Sequence, residues 1–389
     1  MNVPSEFDEI RPYNDEEVRT VIDELLHDRQ FSLILKGLVP WLPEWLRNII
    51  FRIALIGVHG TLDLQKRFMV PLVKYVLRKT SKGATFRYDE ISRGAERYTF
   101  VSNHRDIVLD SAILDVMLHD NKFETTSEIA IGDNLLIHPW IKKFVKLNKA
   151  FTVKRGLGPR ELQQSSQLMS QYMHYAVNEK HENIWIAQRE GRAKDSNDRT
   201  QVSVLKMLAM GGDGSPVERL KDLHIVPLSI SYEYDPCDYL KAQEFQQKRD
   251  DPDFKKSQQD DLNSMKTGIF GCHGHIHYEA APCIDSWLDE LTEVPRVDFY
   301  PEVARRMNLE IYKRYRLYPG NYVAFDELKK TRIYADSYSR SDKKCFDAYI
   351  DGQLKKIQLE NPDEAFLREC LLTMYANPLI NQLRAKEVR

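Results

Sequence analysis

The sequence predicts an α/β protein in which a mostly parallel central sheet is flanked by helices, with further helical regions before and after it. From about Tyr88 to Pro282, apolar runs typical of buried strands alternate with helical patterns. From about Phe7 to Thr80 the pattern is helical with breaks at prolines, and it is helical again after about Arg296. We therefore expect a helical region at 1–87, an α/β domain at 88–295 and a helical region at 296–389.

Composition limits the class of protein. The chain has 389 residues and a formal net charge of −2 at pH 7. A charge so close to zero argues against a nucleic-acid-binding protein, and we predict no nucleic-acid partner. The five cysteines are few and odd in number, which fits reduced thiols in the cytosol better than a disulfide framework. The acidic, polar N-terminus is typical of neither a secretory signal nor a transit peptide.

The N-terminal region carries two apolar segments that are rich in basic residues. No run reaches the roughly 18–20 uncharged apolar residues that span a bilayer. The nearest approach, FSLILKGLVPWLPEWLRNIIFRIALIGVHG, is interrupted by Lys36, Glu44, Arg47 and Arg52, and LQKRFMVPLVKYVLRKTSKG repeats the pattern. Apolar bulk, tryptophans and excess basic residues favour helices that lie on a membrane lipid surface. We predict a peripheral or monotopic protein on the cytoplasmic face of a membrane; a buried helical hairpin is the alternative.

The run TFVSNHRDIVLDSAIL places a histidine between a strand and a helix. Such a histidine can keep one ring nitrogen accessible and, with a carboxylate on the other nitrogen, accept a proton from a hydroxyl group. Asp110 shares a helix face with apolar residues, so it needs a partner, and His104 is the nearest candidate. Asp106 lies in the first helical turn, where a carboxylate is favourable without any catalytic role. Which aspartate pairs with His104 stays open at this point.

Two other histidine motifs have competing interpretations. HRD within this run would suggest a protein kinase, but the glycine-rich loop, the strand lysine and the Asp-Phe-Gly motif are all missing. CHGHIH would place His273, His275 and His277 on one face of a strand, a geometry that can bind zinc. An exposed edge strand is the preferred interpretation, and we predict no metal site.

Two further strand ends carry charged residues. KAFTVKRG ends with Arg155, and WIAQREGRAKD contains Glu190, Gly191, Arg192 and Lys194. Strand ends of an open α/β sheet converge at its carboxyl edge, where ligands bind. Guanidinium groups there suit a phosphate. A base beside a phosphate pocket indicates a phosphorylated acceptor whose hydroxyl group is activated.

Together these motifs resemble the glycerolipid acyltransferase superfamily, which includes glycerol-3-phosphate and lysophosphatidate acyltransferases. NHRDIVLD resembles the family block Asn-His-x4-Asp, and KAFTVKR, QREGRAK and IVPLSISYE resemble the three later blocks in order. The resemblance covers about Tyr88 to Cys283. His104 and Asp110 are one residue further apart than in the family, the third block is one residue short, and Lys149 replaces a glycine. These departures indicate a divergent branch.

The resemblance implies an O-acyltransferase of phospholipid biosynthesis with glycerol-3-phosphate or lysophosphatidate as acceptor. The acyl donor would be acyl-CoA or acyl carrier protein, bound as a substrate, and no cofactor is implied. His104 would be the general base and Asp110 would fix its tautomer. The expected substrate-binding residues are Asn103, Arg105, Arg155, Glu190, Gly191, Arg192 and Lys194.

The sequence leaves two alternative functions and the roles of two regions to be decided. The acceptor could instead be an acylated amino-acid lipid with a free hydroxyl group. The chain could also be a catalytically silent lipid-binding scaffold. The stretch QEFQQKRDDPDFKKSQQDD is predicted to be a charged insertion or mobile loop, and the C-terminal helices carry no motif that we can interpret.

Overall fold

A computed structural model describes residues 3–38 and 57–387. Between these ranges it describes only Pro43, Trp45, Leu46, Ile49, Ile53 and Leu55. Much of the predicted membrane-surface segment, including Trp41, Glu44, Arg47 and Arg52, therefore lies outside the described residues. Among the described residues, no helix is both long enough and apolar enough to cross a membrane.

A seven-stranded sheet forms the centre of the molecule, with strand order β1-β7-β6-β2-β5-β3-β4. Its strands are β1 (Ser81–Arg87), β2 (Thr99–Ser102), β3 (Ser127–Gly132), β4 (Ala150–Val153), β5 (Asn183–Ala187), β6 (Ile225–Tyr232) and β7 (Gly274–Ala280). Neighbouring strands are parallel except for β6 and β7, which are antiparallel. The mostly parallel sheet is confirmed, with β7 and β1 running opposite to the other strands.

Helices surround this sheet, and further helices precede and follow it in the sequence. The N-terminal helices are α1 (Asp15–His27), α2 (Arg29–Leu38), α3 (Thr61–Leu64) and, after a π-helical turn at Gln65–Met69, α4 (Val70–Thr80). Those between strands or after β7 are α5 (Leu109–Asp120), α6 (Pro139–Leu147), α7 (Pro159–Asn178), α8 (Val202–Leu208), α9 (Pro216–Lys221), α10 (Asp238–Asp250), α11 (Gln258–Phe270) and α12 (Asp285–Leu288). The C-terminal helices are α13 (Arg296–Lys313), α14 (Pro319–Lys329), α15 (Arg340–Leu354) and α16 (Glu364–Glu387).

Apolar side chains cover both faces of the sheet. Phe100 and Trp185 point to the face covered by α4 and α5, whereas the adjacent Val101 and Ile186 point to the face covered by α7, α8 and α13. Successive side chains of a strand point to opposite faces, so central strands of a doubly covered sheet must be apolar throughout. Every residue of β6 is buried for this reason. The sheet is thereby a rigid platform whose carboxyl edge can position polar side chains.

The secondary structure of two segments differs from the sequence predictions. The predicted helical region 1–87 ends early, because Ser81–Arg87 form edge strand β1 and pair with β7. Its alternating partial burial is typical of an edge strand with one packed face. The segment predicted to be a charged insertion or mobile loop, residues 243–261, is largely helical, because 243–250 lie in α10 and 258–261 lie in α11. Ser257 begins α11 by accepting a hydrogen bond from the Asp260 amide at 3.2 Å, a local cap that charge composition does not reveal.

The C-terminal helices form a separate apolar core and attach to α10 through a buried carboxylate. Asp238 accepts hydrogen bonds from the hydroxyl groups of Tyr349 and Tyr375, each at 2.7 Å. Burial raises the pKa of Asp238 to about 6, and the nearby Asp235 adds to the shift. The region without a sequence motif therefore supports α10 from outside the sheet.

Candidate active site

His104 and Asp110 form a hydrogen-bonded pair at the start of α5. His104 Nδ1 lies 2.7 Å from Asp110 Oδ2. The His104 side chain is 12% exposed and the Asp110 side chain is fully buried. No hydrogen bond joins His104 Nε2 to the part of the chain that the structure describes. A carboxylate on Nδ1 keeps the proton there, so Nε2 is left as the acceptor that a general base needs.

Asp110 is fixed by several groups besides His104. Its Oδ2 accepts hydrogen bonds from the amides of Arg105, at 2.6 Å, and Asp106, at 3.0 Å. Its Oδ1 accepts a hydrogen bond from the Tyr232 hydroxyl at 2.9 Å. Hydrogen-bond donors to a buried carboxylate offset the cost of its burial. The loop that carries His104 thus wraps around the carboxylate that orients the ring.

Asp106 has a different role, which resolves the choice between the two aspartates. Its Oδ1 accepts hydrogen bonds from the amides of Val108, at 2.9 Å, and Leu109, at 2.7 Å, and so caps the start of α5. Burial raises the pKa of Asp106, and the charge of Asp110 raises it further. The helix-start role preferred from the sequence agrees with this geometry.

The predicted strand ends meet at one edge of the sheet. Ser102 at the end of β2 is in register with Ala187 at the end of β5. On the other side of β5, the last residue of β3, Gly132, is in register with Val153 of β4. His104, Glu190 and Arg155 therefore follow parallel strands and lie along the same carboxyl edge, as the sequence predicts.

Arg155 and Glu190 come together in an ion pair. Arg155 Nη1 lies 2.5 Å from Glu190 Oε1, and the two side chains are 32% and 69% exposed. Gly191 follows with a φ of 65°, a left-handed conformation that favours glycine. The turn therefore presents Glu190 to Arg155, whose guanidinium group can exchange this exposed carboxylate partner for a phosphate.

The side chains of Arg192 and Lys194 point away from Arg155. Arg192 lies beside Asp106, Asp235 and Cys237, and its Nη1 is buried without a hydrogen-bond partner among the described residues. Lys194 forms an ion pair with Glu244 of α10. The structure therefore separates Arg192 and Lys194 from Arg155, although the sequence prediction placed all three around one phosphate.

Asn103 and Arg105 contact residues that are distant in sequence. The Asn103 side chain donates to the Ile230 carbonyl oxygen at 2.9 Å and accepts from the Ile230 amide at 2.8 Å. Arg105 is buried and pairs with Asp198 at 2.6 Å. The hydroxyl of Tyr315, beyond α13, also binds Asp198 at 2.6 Å. Substrate contact by Asn103 would break its bonds to Ile230, so Asn103 positions the His104 loop. Arg105 Nη2 is held by Asp198, whereas its Nη1 is buried with no hydrogen-bond partner among the described residues.

Sequence reasoning missed three aromatic residues that hold the pair. Tyr232 bonds the Asp110 carboxylate, and the Tyr278 hydroxyl donates to the Asp110 carbonyl oxygen at 2.9 Å. Trp185 packs edge-on against His104 with ring centroids 5.6 Å apart. All three lie in apolar strand patterns typical of core residues, and only the pairing of distant strands brings them to the site.

The three histidines of CHGHIH do not gather around a common point in the described part of the chain. His273 is buried against Tyr232, His275 stacks on Tyr318, and His277 bonds Thr85 at 2.8 Å. A different trio, His224, Cys283 and Asp285, has possible metal-ligand atoms within 4.8 Å of one another. It lies at the amino edge of the sheet, away from His104, since His224 precedes β6.

Two comparisons with known proteins found similarities to this chain. Residues 83–231 match a family model described as Acyltransferase. The chain is also similar to a crystal structure of the 1-acyl-sn-glycerophosphate (LPA) acyltransferase PlsC from Thermotoga maritima. That similarity has 11% sequence identity and a TM-score of 0.38, and covers 74% of this chain and 95% of that one. A search of curated proteins found no match.

Proposed function

We propose that this chain, whose residues 83–231 match a family model described as Acyltransferase, moves a fatty acyl group from a thioester to a hydroxyl group of glycerol-3-phosphate or lysophosphatidate. The observation that carries the proposal is the His104–Asp110 pair at the carboxyl edge, with Nε2 left without a hydrogen-bond partner among the described residues. Open α/β sheets bind ligands at this edge. The exposed Arg155 guanidinium along the same edge supports an acceptor that carries a phosphate.

The proposed reaction has a balanced path for its proton and its leaving group. The acceptor hydroxyl oxygen attacks the thioester carbonyl carbon while His104 Nε2 takes the hydroxyl proton. Asp110 keeps the other ring nitrogen protonated and stabilises the imidazolium that forms. The carbon–sulfur bond then breaks, and the leaving thiolate takes the proton from His104. The carrier thiol and the acylated acceptor leave, and the pair returns to its starting state.

We also propose that the chain works on a membrane surface at its cytoplasmic face. Three described residues of the N-terminal apolar segment are strongly exposed: Trp45 at 65%, Ile49 at 44% and Ile53 at 59%. On α4, Arg78 and Lys79 are also exposed. Exposed apolar groups and exposed cations in the same N-terminal region support binding to anionic lipids.

The membrane proposal is tested by sedimentation with lipid vesicles. Vesicles that contain phosphatidylglycerol should bind the chain more strongly than vesicles of phosphatidylcholine alone. The variant Arg78→Glu/Lys79→Glu should lose that preference, whereas the control Lys329→Glu/Lys355→Glu should keep it, because both control lysines lie far along the chain on exposed C-terminal surface. Equal binding of both variants would contradict a role for α4.

The reaction is tested with labelled acyl-CoA offered with glycerol-3-phosphate and, separately, with lysophosphatidate. We expect product with one acceptor, and a fall of about 10²–10⁴-fold in His104→Ala, the loss typical of a missing general base. His224→Ala is the matched control, since His224 also bonds an aspartate at 2.7 Å but lies at the opposite sheet edge. Full activity in His104→Ala would overturn the mechanism. Failure with both acceptors would direct the search to a carrier-protein donor or an amino-acid-lipid acceptor.

A further inference from the structure

A groove of about 570 Å³ lies between α10 and α11. Its lining includes five basic and two acidic residues, together with aromatic side chains. The basic residues are Arg192, Lys241, Lys256, Lys266 and Lys356, and the acidic ones are Glu244 and Asp260. Its volume lies within the range of pockets that hold drug-sized ligands, about 300–1,000 Å³. We call it the α10–α11 groove.

The groove adjoins the loop that carries His104. On α11, Gly268 approaches the loop so closely that an added Cβ would lie 1.8 Å from Asp106 Oδ2. Arg192, which lines the groove, also lies beside Asp106. Its Nη1 is buried and has no hydrogen-bond partner among the described residues. A buried donor without an acceptor is costly, so an anion that reaches Arg192 would be stabilised.

Two further cations of the groove are available to a ligand. Lys241 is paired with Asp235, and Lys256 with Asp261. By contrast, Lys266 is exposed and has no ion pair in the described part of the chain. Lys356 is also exposed and lies 5.5 Å from the centroid of the Tyr239 ring.

Aromatic groups complete this surface. Phe270 in the same lining is 58% exposed, which is unusual for so large an apolar side chain. Cations interleaved with aromatic rings suit a ligand that has both phosphate groups and a heteroaromatic base.

The position of the groove distinguishes it from the Arg155 site. His104 follows β2, which lies between β6 and β5 in the sheet. The α10–α11 insertion follows β6 on one side, whereas Arg155 follows β4 on the other. An acyl transfer brings two phosphate-bearing substrates to one base, so two anion sites on opposite sides of His104 fit two substrates better than one.

We propose that the α10–α11 groove binds the nucleotide of the acyl-CoA donor, with its phosphates near Arg192, Lys266 and Lys356 and its base against Tyr239 or Phe270. This proposal rests on the proposed function, because it assigns the acyl donor of that reaction. The pantetheine arm then extends past Asp106 to carry the thioester to His104. Arg155 is left for the phosphate of the acceptor.

Steady-state kinetics test the assignment through the double variant Lys266→Glu/Lys356→Glu. Charge reversal beside a phosphate should raise the KM for acyl-CoA by about tenfold or more. The KM for the acceptor should stay unchanged, and so should the kcat. The control is Lys329→Glu, which changes an exposed lysine of α14 and should leave both KM values unchanged. A rise in the acceptor KM alone would assign the groove to the acceptor and overturn the proposal.

A binding measurement separates this proposal from the proposed function. Adenosine 3′,5′-bisphosphate, the nucleotide end of coenzyme A, is titrated into the intact chain by calorimetry with no acceptor present. We expect saturable binding that the double variant weakens and that His104→Ala leaves unchanged. Absence of binding to the wild type, or equal binding to the double variant, would overturn the groove assignment even if acyl transfer is observed. Binding without any transfer would instead count against the proposed function alone.

Discussion

Two histidine–aspartate pairs lie at opposite edges of the same sheet and have the same hydrogen-bond length. His104 bonds Asp110 at the carboxyl edge, and His224 bonds Asp285 at the amino edge, each through Nδ1 at 2.7 Å. Their surroundings differ, because Asp110 is fully buried whereas the Asp285 side chain is 26% exposed. Two backbone amides and a tyrosine also hold Asp110. The pair distance therefore does not distinguish the proposed base, His104, from His224; the groups that fix the carboxylate do.

The largest expected effect comes from exchanging each aspartate for asparagine. Asp110→Asn should lower kcat by about a thousandfold or more, because an amide no longer fixes the tautomer or stabilises the imidazolium. Asp285→Asn should leave kcat unchanged. The measurement is a single-turnover assay on both variants, with thermal melts to confirm folding. If the two variants lost activity equally, the contrast between the edges would fail.

A smaller effect is expected from the close packing of α11 on the His104 loop. Gly268→Ala should destabilise the fold by about 1–3 kcal/mol, since the added methyl group overlaps Asp106 and must displace the loop or the helix. Gly352→Ala on α15 is the control, because nothing lies within 4 Å of its added Cβ. Urea unfolding of the two variants measures the difference. A neutral Gly268→Ala would mean that the loop and helix shift freely.

Removal of one hydrogen bond to the Asp110 carboxylate should have a smaller effect on kcat. Tyr232→Phe deletes a single hydrogen bond to a carboxylate that keeps its other donors. We expect kcat to fall by roughly tenfold, which corresponds to about 1–1.5 kcal/mol, the scale of one such bond. An unchanged kcat would show that the backbone amides alone hold Asp110 in place.

The smallest effect concerns protonation of the amino-edge pair. The hydrogen bond that His224 donates to the Asp285 carboxylate raises the pKa of His224 and outweighs the lowering caused by burial. Because the folded-state pKa lies above the unfolded one, this pair stabilises the fold at low pH and loses that contribution as the pH rises through the folded pKa. Asp285→Asn should lower the His224 pKa, as followed by NMR titration. It should also reduce thermal stability below the ordinary histidine pKa of about 6.5 and leave it unchanged well above.

The sequence predicts those parts of the molecule that depend on local pattern. The alternation of strands and helices from about Tyr88 to Pro282 and the carboxyl-edge position of His104 follow from periodicity and from the rule that parallel strands end together. Helix geometry makes Asp110 a candidate partner of His104, but the choice between Asp110 and Asp106 needs the structure. The orientations of the Asn103 and Arg192 side chains do not follow from local pattern, because their partners, Ile230 and Cys237, are far along the chain.

Charge composition did not predict the secondary structure of the segment expected to be a charged insertion or mobile loop, which lies largely in α10 and α11. Contacts with residues distant in sequence stabilise these two helices. Tyr349 and Tyr375 bond Asp238 at the start of α10, and Gly268 of α11 packs against Asp106. Composition describes how well a segment is solvated, whereas these contacts depend on side chains that are remote in sequence.

The antiparallel pairing of β6 and β7 has a consequence for how such a chain can change. Antiparallel neighbours need only a tight hairpin turn between them, whereas parallel neighbours need a long crossover. The topology therefore does not require residues 233–273, which join β6 to β7. This connection can lengthen, shorten or be rewritten in evolution without altering the register of any strand. If the groove holds the acyl donor, the choice of donor can diverge among relatives while the base and its aspartate stay the same.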